Sequence, residues 1–282
     1  MKKIALINDL SGFGKCSLTA AIPVISVMGI QACPLPTAVL TAQTGFDQYY
    51  CDDYTEKMKI FTAYWKEMGV SFDGIYSGYL AGANQIEKVL DFLEVFRKER
   101  TFFLADPVLG DLGELFKNFD YRLVEEMREL TTLANTITPN LTELCLLAEE
   151  DYFQLIKYKD DSDYVEKIYQ TAKGLLKKSK VNQSIIVTGI LTVKNGKERI
   201  GNMVVDKKGY YYRDMHYTGK SFSGTGDLFA SVVSAAMVNG MTARQATDKA
   251  IYFLQEAIDE ATREEIPTVH GVNFEKYLYR LL

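Results

Sequence analysis

The chain has 282 residues, 47% hydrophobic and 24% charged, with a formal net charge of −5. Such a composition can bury a core large enough for an enzyme, and an acidic balance with no basic run beyond pairs such as Lys177-Lys178 excludes nucleic acid or an anionic membrane as a main partner. Four cysteines (Cys16, Cys33, Cys51, Cys145) lack close metal-type spacing and read as reduced thiols of a cytoplasmic protein, while two histidines (His216, His270) exclude chemistry built on several imidazoles.

Met1-Lys2-Lys3-Ile4 runs straight into a strand pattern, Ile4 to Ile7, that Asn8-Asp9 interrupts. This start is therefore expected to be neither a signal peptide nor a membrane span. Residues 12–17, Gly12-Phe13-Gly14-Lys15-Cys16-Ser17, form a Gly-containing turn before a helix over 17–28. The turn falls short of both familiar glycine signatures. Ser17 stands where a dinucleotide fingerprint needs Gly or Ala, and Asp9 and Cys16 stand where a P-loop needs Gly and Ser or Thr. Residues 30–40 read as a strand whose Pro34 and Pro36 suggest an edge or a bend. Met58, Phe61, Trp65 and Met68 recur at helical spacing over 54–68 and are expected to pack in the core.

A strand over 72–79 ends in Ser77-Gly78-Tyr79-Leu80, and Ile86, Val89, Leu90, Leu93 and Phe96 mark the next helix. A strand over 101–105 ends in Asp106-Pro107-Val108-Leu109-Gly110-Asp111, followed by a helix marked by Leu123, Val124, Met127 and Leu130. Thr138-Pro139-Asn140-Leu141-Thr142-Glu143 leads into a helix through about residue 148, and a further helix covers 163–178. A strand over 184–187 ends in Thr188-Gly189, and strands over 201–206 and 210–217 form a hairpin around Lys207-Lys208-Gly209. Helices over 228–238 and 243–261 and a short amphipathic tail over 273–282 complete the chain. Alternating strands and helices predict an α/β fold with a mostly parallel sheet, the late hairpin adding antiparallel strands. With no linker, repeat or low-complexity segment, residues 1–282 are expected to form one domain.

Ser223-Gly224-Thr225-Gly226-Asp227 is the stretch with the most chemical content. Two glycines permit a sharp turn and a close approach to a ligand. The helix that follows leaves its first amides free for the oxygens of a phosphoryl group, and Asp227 in its first turn can take a proton from a hydroxyl. A first-turn Asp also suits the helix dipole with no chemistry at all. Asp9 can accept a hydrogen bond from a substrate or cap its own turn. Asp106, Asp111 and Glu143, also at strand ends, can hold a hydrated Mg²⁺ or serve as caps and turn formers.

Taken together, these motifs resemble the ribokinase-like superfamily and, within it, the pyridoxal kinases, over nearly the whole chain. The resemblance rests on Gly224-Thr225-Gly226-Asp227, Asp106 to Asp111, Thr138 to Glu143 and Ser77 to Leu80, all in the family's order. It implies a three-layer αβα sandwich and ATP-dependent phosphorylation of the 5′-hydroxymethyl group of a B6 vitamer. Gly224, Thr225 and Gly226 would form the anion hole, with Asp227 as base. Asp9, Cys16, Thr44 and Tyr79 would surround the ring. Asp106, Asp111, Thr138, Asn140, Glu143, Thr188, Met215, Thr218 and Gly226 would line the nucleotide, and Asp106 and Glu143 would serve Mg²⁺. K⁺ is a further candidate ion, and a homodimer the implied assembly. The family carries Ser followed by His where this chain has Asp9-Leu10, and an acidic group at the ring favours an amino-bearing acceptor such as pyridoxamine or an aminopyrimidine. The alternatives are a hydroxymethylpyrimidine kinase and a nucleotide-binding relative without turnover.

Overall fold

The computed structural model describes residues 1–159 and 162–282, with strands and helices alternating from the N-terminus. In chain order these are β1 (Lys3–Ser11), α1 (Ser17–Val27), β2 (Gln31–Leu40), β3 (Cys51–Asp53), α2 (Thr55–Glu67), β4 (Gly74–Ser77), α3 (Ala83–Phe96), β5 (Phe102–Ala105), β6 (Gly110–Asp111), β7 (Glu114–Leu115), α4 (Tyr121–Thr132), β8 (Thr136–Ile137), α5 (Leu141–Ala148), α6 (Tyr152–Ile156), α7 (Tyr164–Leu176), β9 (Ser184–Lys194), β10 (Lys197–Asp206), β11 (Gly209–His216), α8 (Thr225–Val238) and α9 (Ala243–Arg263). Two short 3₁₀ turns follow, Thr268–His270 and Glu275–Leu281. The contacts divide the chain into two units. One is Met1–Asp106 with Lys220–Leu282, the other Pro107–Gly219.

In the first unit β1 pairs in parallel with β2 on one side and β4 on the other, and β4 pairs in parallel with β5. All four residues of β4 are buried, as befits a strand covered on both faces. Helices α1, α8 and α9 pack together with α8 against β4 and β5, while α2 and α3 form a second group with α2 on β2. Helix α8 is apolar nearly all round from Leu228 to Ala236, and every residue of that run is buried. Trp65, Phe72, Phe92 and Phe96 interlock as tilted and edge-on rings, with Phe92 and Phe96 centroids 4.5 Å apart. The expected apolar stripe of α2 holds for Met58, which is buried, but Met68 is 71% exposed. The helix ends at Glu67, which leaves Met68 as its C-cap, and Gly69, at φ +66°, turns the chain directly after it.

Strand β2 explains its prolines. β3 pairs only with Ala38, Val39 and Leu40, and the Thr37 carbonyl accepts from the Tyr54 amide, so the open edge is residues 31–36. The Gln31 amide donates to the Lys2 carbonyl, and by the two-residue alternation of a strand the nitrogens of Pro34 and Pro36 face away from β1. The pairing of β1 with β2 slips at Asp9, between the Asn8–Pro36 and Leu10–Val39 partners. A bulge of this kind re-aims a side chain.

In the second unit β8 pairs in parallel with β9, and β9, β10 and β11 form an antiparallel meander. The expected hairpin closes on Lys207-Lys208, flanked by Asp206 and Gly209. The strand expected to end at Val187 instead runs on to Lys194 and returns through Asn195-Gly196. Both turn residues have positive φ (54° and 71°), the geometry of a two-residue hairpin. Tyr212 lies across Gly201, where an added Cβ would meet its hydroxyl at 2.3 Å. The mostly parallel α/β architecture with a late antiparallel hairpin, read from the sequence, is therefore the architecture found.

Candidate active site

Helix α8 begins at a turn that only glycine can make. Gly224, its N-cap, has φ +79°, and a Cβ there would lie 1.9 Å from the Lys15 carbonyl oxygen. Thr225 closes the turn by donating its hydroxyl to the Phe222 carbonyl at 2.9 Å. Gly226 is exposed, and a Cβ on it would meet nothing within 4 Å. The amides of Gly226 and Asp227 take no partner among the described residues, as first-turn amides of a helix do. The polar groups needed to hold an anion are thus present and open at one spot.

The Asp227 carboxylate is held from two elements. Asn8 Nδ2, on β1, donates to Asp227 Oδ1 at 3.1 Å, and the Ser17 backbone N–H, at the start of α1, also favours its charged form. Burial pushes its pKa from 3.8 up to about 6, and the nearby Asp9 charge adds to this while the two donors oppose it. Ser17 has φ +51°, a strained conformation for a residue other than glycine. Its hydroxyl, like that of Ser11, opposes the burial-driven rise in the Asp9 pKa, so Ser17 stands beside both carboxylates.

Asp9 is 5% exposed and its Oδ2 accepts from Ser11 Oγ at 2.7 Å. Burial raises its pKa, and among the described residues no cation faces it. Cys16 lies against the same pair. Burial first, then the Asp227 and Asp9 charges, push its thiol up to about 12, so it is a neutral lining group rather than a nucleophile. Burial and the charge of Asp9 also raise the pKa of the Tyr79 phenol, while its backbone amide donates to Asn8 Oδ1 at 2.8 Å. Thr44 is exposed on the 41–45 loop. Its neighbour Gln43 fastens that loop, donating to the Val269 carbonyl at 3.0 Å and accepting from the Gly45 amide at 2.7 Å. His270 packs edge-on against Phe13. Asp106 is buried at the end of β5, with its amide on the Ser77 carbonyl at 2.8 Å. Of the candidates in this unit, Asp9, Cys16, Tyr79 and Asp227 therefore share one neighbourhood.

The remaining candidates belong to the second unit. Asn140 and Glu143 form a reciprocal cap on α5. Asn140 Oδ1 accepts from the Glu143 amide at 2.9 Å, and Glu143 Oε2 accepts from the Asn140 amide at 2.8 Å. Glu143 Oε1 also accepts from the Leu109 amide at 3.1 Å, and Asn140 Nδ2 donates to the Gly110 carbonyl at 2.8 Å. The buried Glu143 and half-buried Asn140 thus anchor the 109–110 segment. Asp111 is exposed and accepts from the amide of Leu112, forming the tip of the β6–β7 hairpin with Gly113. Thr188 bridges to Asn140 and its amide donates to the Pro139 carbonyl at 2.9 Å. Thr138 is buried, Met215 is half-buried on β11, and the Thr218 hydroxyl is buried with no partner among the described residues. Among the described residues no group of three or more His, Cys, Asp or Glu is placed to hold a metal.

The double use of Glu143 carries a testable cost. Glu143→Gln exchanges an oxygen that accepts a backbone amide for a nitrogen that cannot. The ligand-free protein is expected to lose about 1–3 kcal/mol of stability, measured by denaturant unfolding. Unchanged stability would remove the capping role.

Asn8, Ser11, Ser17 and Gln43 have no place among the residues singled out from the sequence. The signal for Asn8 was a polar residue closing the apolar run Ile4 to Ile7, and it is wholly buried. Ser17 had none, because its positive φ is set by tertiary contacts.

The phosphomethylpyrimidine kinase profile matches residues 14–271. The chain is similar to a protein of Bacteroides thetaiotaomicron provisionally named a phosphomethylpyrimidine kinase. Its orthorhombic crystal form, solved with pyridoxal, is 37% identical with a TM-score of 0.90, covering 99% of this chain and 95% of that one. The pyridoxal kinase of Lactobacillus plantarum is 26% identical with a TM-score of 0.87, covering 100% and 97%. The pyridoxal kinase PdxY of Histophilus somni is 26% identical over 175 residues, 60% of this chain and 56% of that protein. The chain matches little more than half the length of such curated relatives, from 55% to 61%.

Proposed function

The chain belongs to the phosphomethylpyrimidine kinase family, and we propose that within it the chain phosphorylates the 5′-hydroxymethyl group of a B6 vitamer with ATP. The observation that carries this is Asp227: a carboxylate with a pKa near neutrality, about 6, beside the open amides that begin α8. Asp227 takes the hydroxyl proton as the oxygen attacks the γ-phosphorus. A new O–P bond forms, the bond to the bridging oxygen breaks, and ADP leaves with its electron pair. The transition state is loose, so placing the reactants and stabilising their charge account for most of the rate. The Gly226 and Asp227 amides hold the oxygens of the moving group. Pyridoxal in the Bacteroides relative and the name of the Lactobacillus relative support a B6 acceptor.

Asp9, Cys16, Thr44 and Tyr79 are proposed to surround the acceptor ring, and the buried, cation-free Asp9 favours an amino-bearing vitamer. Asp106, Asp111, Thr138, Asn140, Glu143, Thr188, Met215 and Thr218 are proposed to serve the nucleotide. The orphaned Thr218 hydroxyl fits such a polar ligand. Mg²⁺, when bound, neutralises charge on the phosphates, and Asp106 and Glu143 would hold it. Both Glu143 oxygens already accept amides, which fits contact through the ion's waters. K⁺ dependence, a homodimer and a cytoplasmic location belong to the same proposal. No described helix is long and apolar enough to cross a membrane.

A coupled ADP-release assay on pyridoxal, pyridoxamine, pyridoxine, hydroxymethylpyrimidine and ribose tests the reading. Turnover is expected with the B6 vitamers. Turnover with hydroxymethylpyrimidine alone would move the chain to that second activity, which the family name favours. Thermal shifts without any ADP release would mark a binding protein.

A further inference from the structure

We propose that Asn8 is a positioning residue for the base, its carboxamide holding one oxygen of Asp227 so that the other can meet the acceptor hydroxyl. This rests on the reading of Asp227 as base. Asn8 lies on β1 just before its pairing with β2 shifts register, opposite an extra residue in β2, and is 0% exposed. Its Oδ1 accepts two backbone amides, from Asp9 at 3.0 Å and Tyr79 at 2.8 Å. Two donors on one oxygen fix which way the carboxamide faces, because the NH₂ end cannot accept them. Nδ2 is thereby aimed at Asp227 Oδ1, 3.1 Å away.

The neighbouring strand is shaped to this side chain. A Cβ on Gly78 would lie 2.5 Å from Asn8 Nδ2 and 2.9 Å from Oδ1. Glycine at 78 therefore leaves the space that the carboxamide fills. The Ser17 amide, presented by a residue in the left-handed region, also favours the charged form of Asp227. The titratable groups facing Asp227 are Asp9 from β1, Cys16 at the start of α1 and Tyr76 from β4, and none is a cation. Among the described residues no cation orients the carboxylate, and the Asn8 carboxamide is the side-chain donor that holds it.

Asn8→Asp tests the assignment. It keeps the oxygen that receives both amides and replaces the donor by a second carboxylate beside Asp227. Two carboxylates at that distance do not both ionise readily, so the pKa of the pair's second ionisation rises. Expected is a kcat about 10- to 100-fold lower at pH 7, with KM for acceptor and ATP within about threefold. The acidic limb of the kcat/KM profile should move up by about one to two pH units. Gly78→Ala is the second variant. It leaves both functional side chains intact but crowds the carboxamide, and a kcat about tenfold lower with little change in KM is expected. An acidic limb in Asn8→Asp at the wild-type position overturns the proposal. So does failure of both variants to fold, since that assigns Asn8 to the scaffold alone. A wild-type protein that phosphorylates none of the acceptors defeats the functional reading instead, and shows it before any substitution is made.

Discussion

Asp227→Asn is expected to lower kcat by about 10²- to 10⁴-fold while KM for acceptor and nucleotide changes little. The amide keeps the size of the carboxylate and loses only the ability to take the proton. The wild-type rate should fall below about pH 6, where Asp227 becomes protonated. Stability should move the opposite way. A carboxyl whose folded pKa lies above its unfolded value binds more protons when folded, so the fold loses stability as pH rises from 3.8 through about 6. The neutral Asn escapes that penalty. Asp227→Asn should therefore melt higher than wild type at pH 8, and the difference should vanish below about pH 4. A near wild-type kcat would remove Asp227 as base. Equal melting at pH 8 would remove burial as the cause of its raised pKa.

The two glycines before Asp227 should respond to alanine in opposite ways. Gly224→Ala places a methyl 1.9 Å from the Lys15 carbonyl at a residue with φ +79°. Backbone cannot yield as a flexible side chain does, and a loss of about 2–4 kcal/mol of stability is expected. Gly226→Ala meets nothing within 4 Å. It should fold as well as wild type or gain up to about 1 kcal/mol from helix propensity. Its methyl would stand where the phosphoryl oxygens must come, so kcat is expected to fall about 10²- to 10³-fold. Unfolding curves and steady-state kinetics on the two proteins separate these effects. A Gly226→Ala protein with full activity would place the anion elsewhere.

Much of this was legible before any coordinates. Helix α8 and the turn before it show in Gly224 to Asp227 and the apolar run behind them, because a glycine pair and a helical period are local signals. Residues 138–143 show as the lead-in to a helix for the same reason, though the reciprocal cap of Asn140 and Glu143, a local signal three residues apart, was passed over. Asn195-Gly196 was a local signal too, a two-residue hairpin turn that the strand assignment passed over. Asn8 and Ser17 are different. Their roles depend on Asp227, which is 219 residues from Asn8, and on the space above Gly78. No window along the sequence contains both partners. Met68 failed for a related reason, since its helical spacing says nothing of where the helix stops.

The prolines of β2 have a consequence outside the chemistry. Along residues 31–36 no strand pairs with this side of β2, and such a margin normally invites another polypeptide to extend the ladder. Here two of the outward nitrogens, those of Pro34 and Pro36, carry no hydrogen. A second molecule docking there would find carbonyls to donate to but missing donors at alternate places, so its own ladder could not close. The chain is thereby guarded against open-ended association at high concentration, by imino acids that lie on the same strand and cost the parallel pairing with β1 nothing.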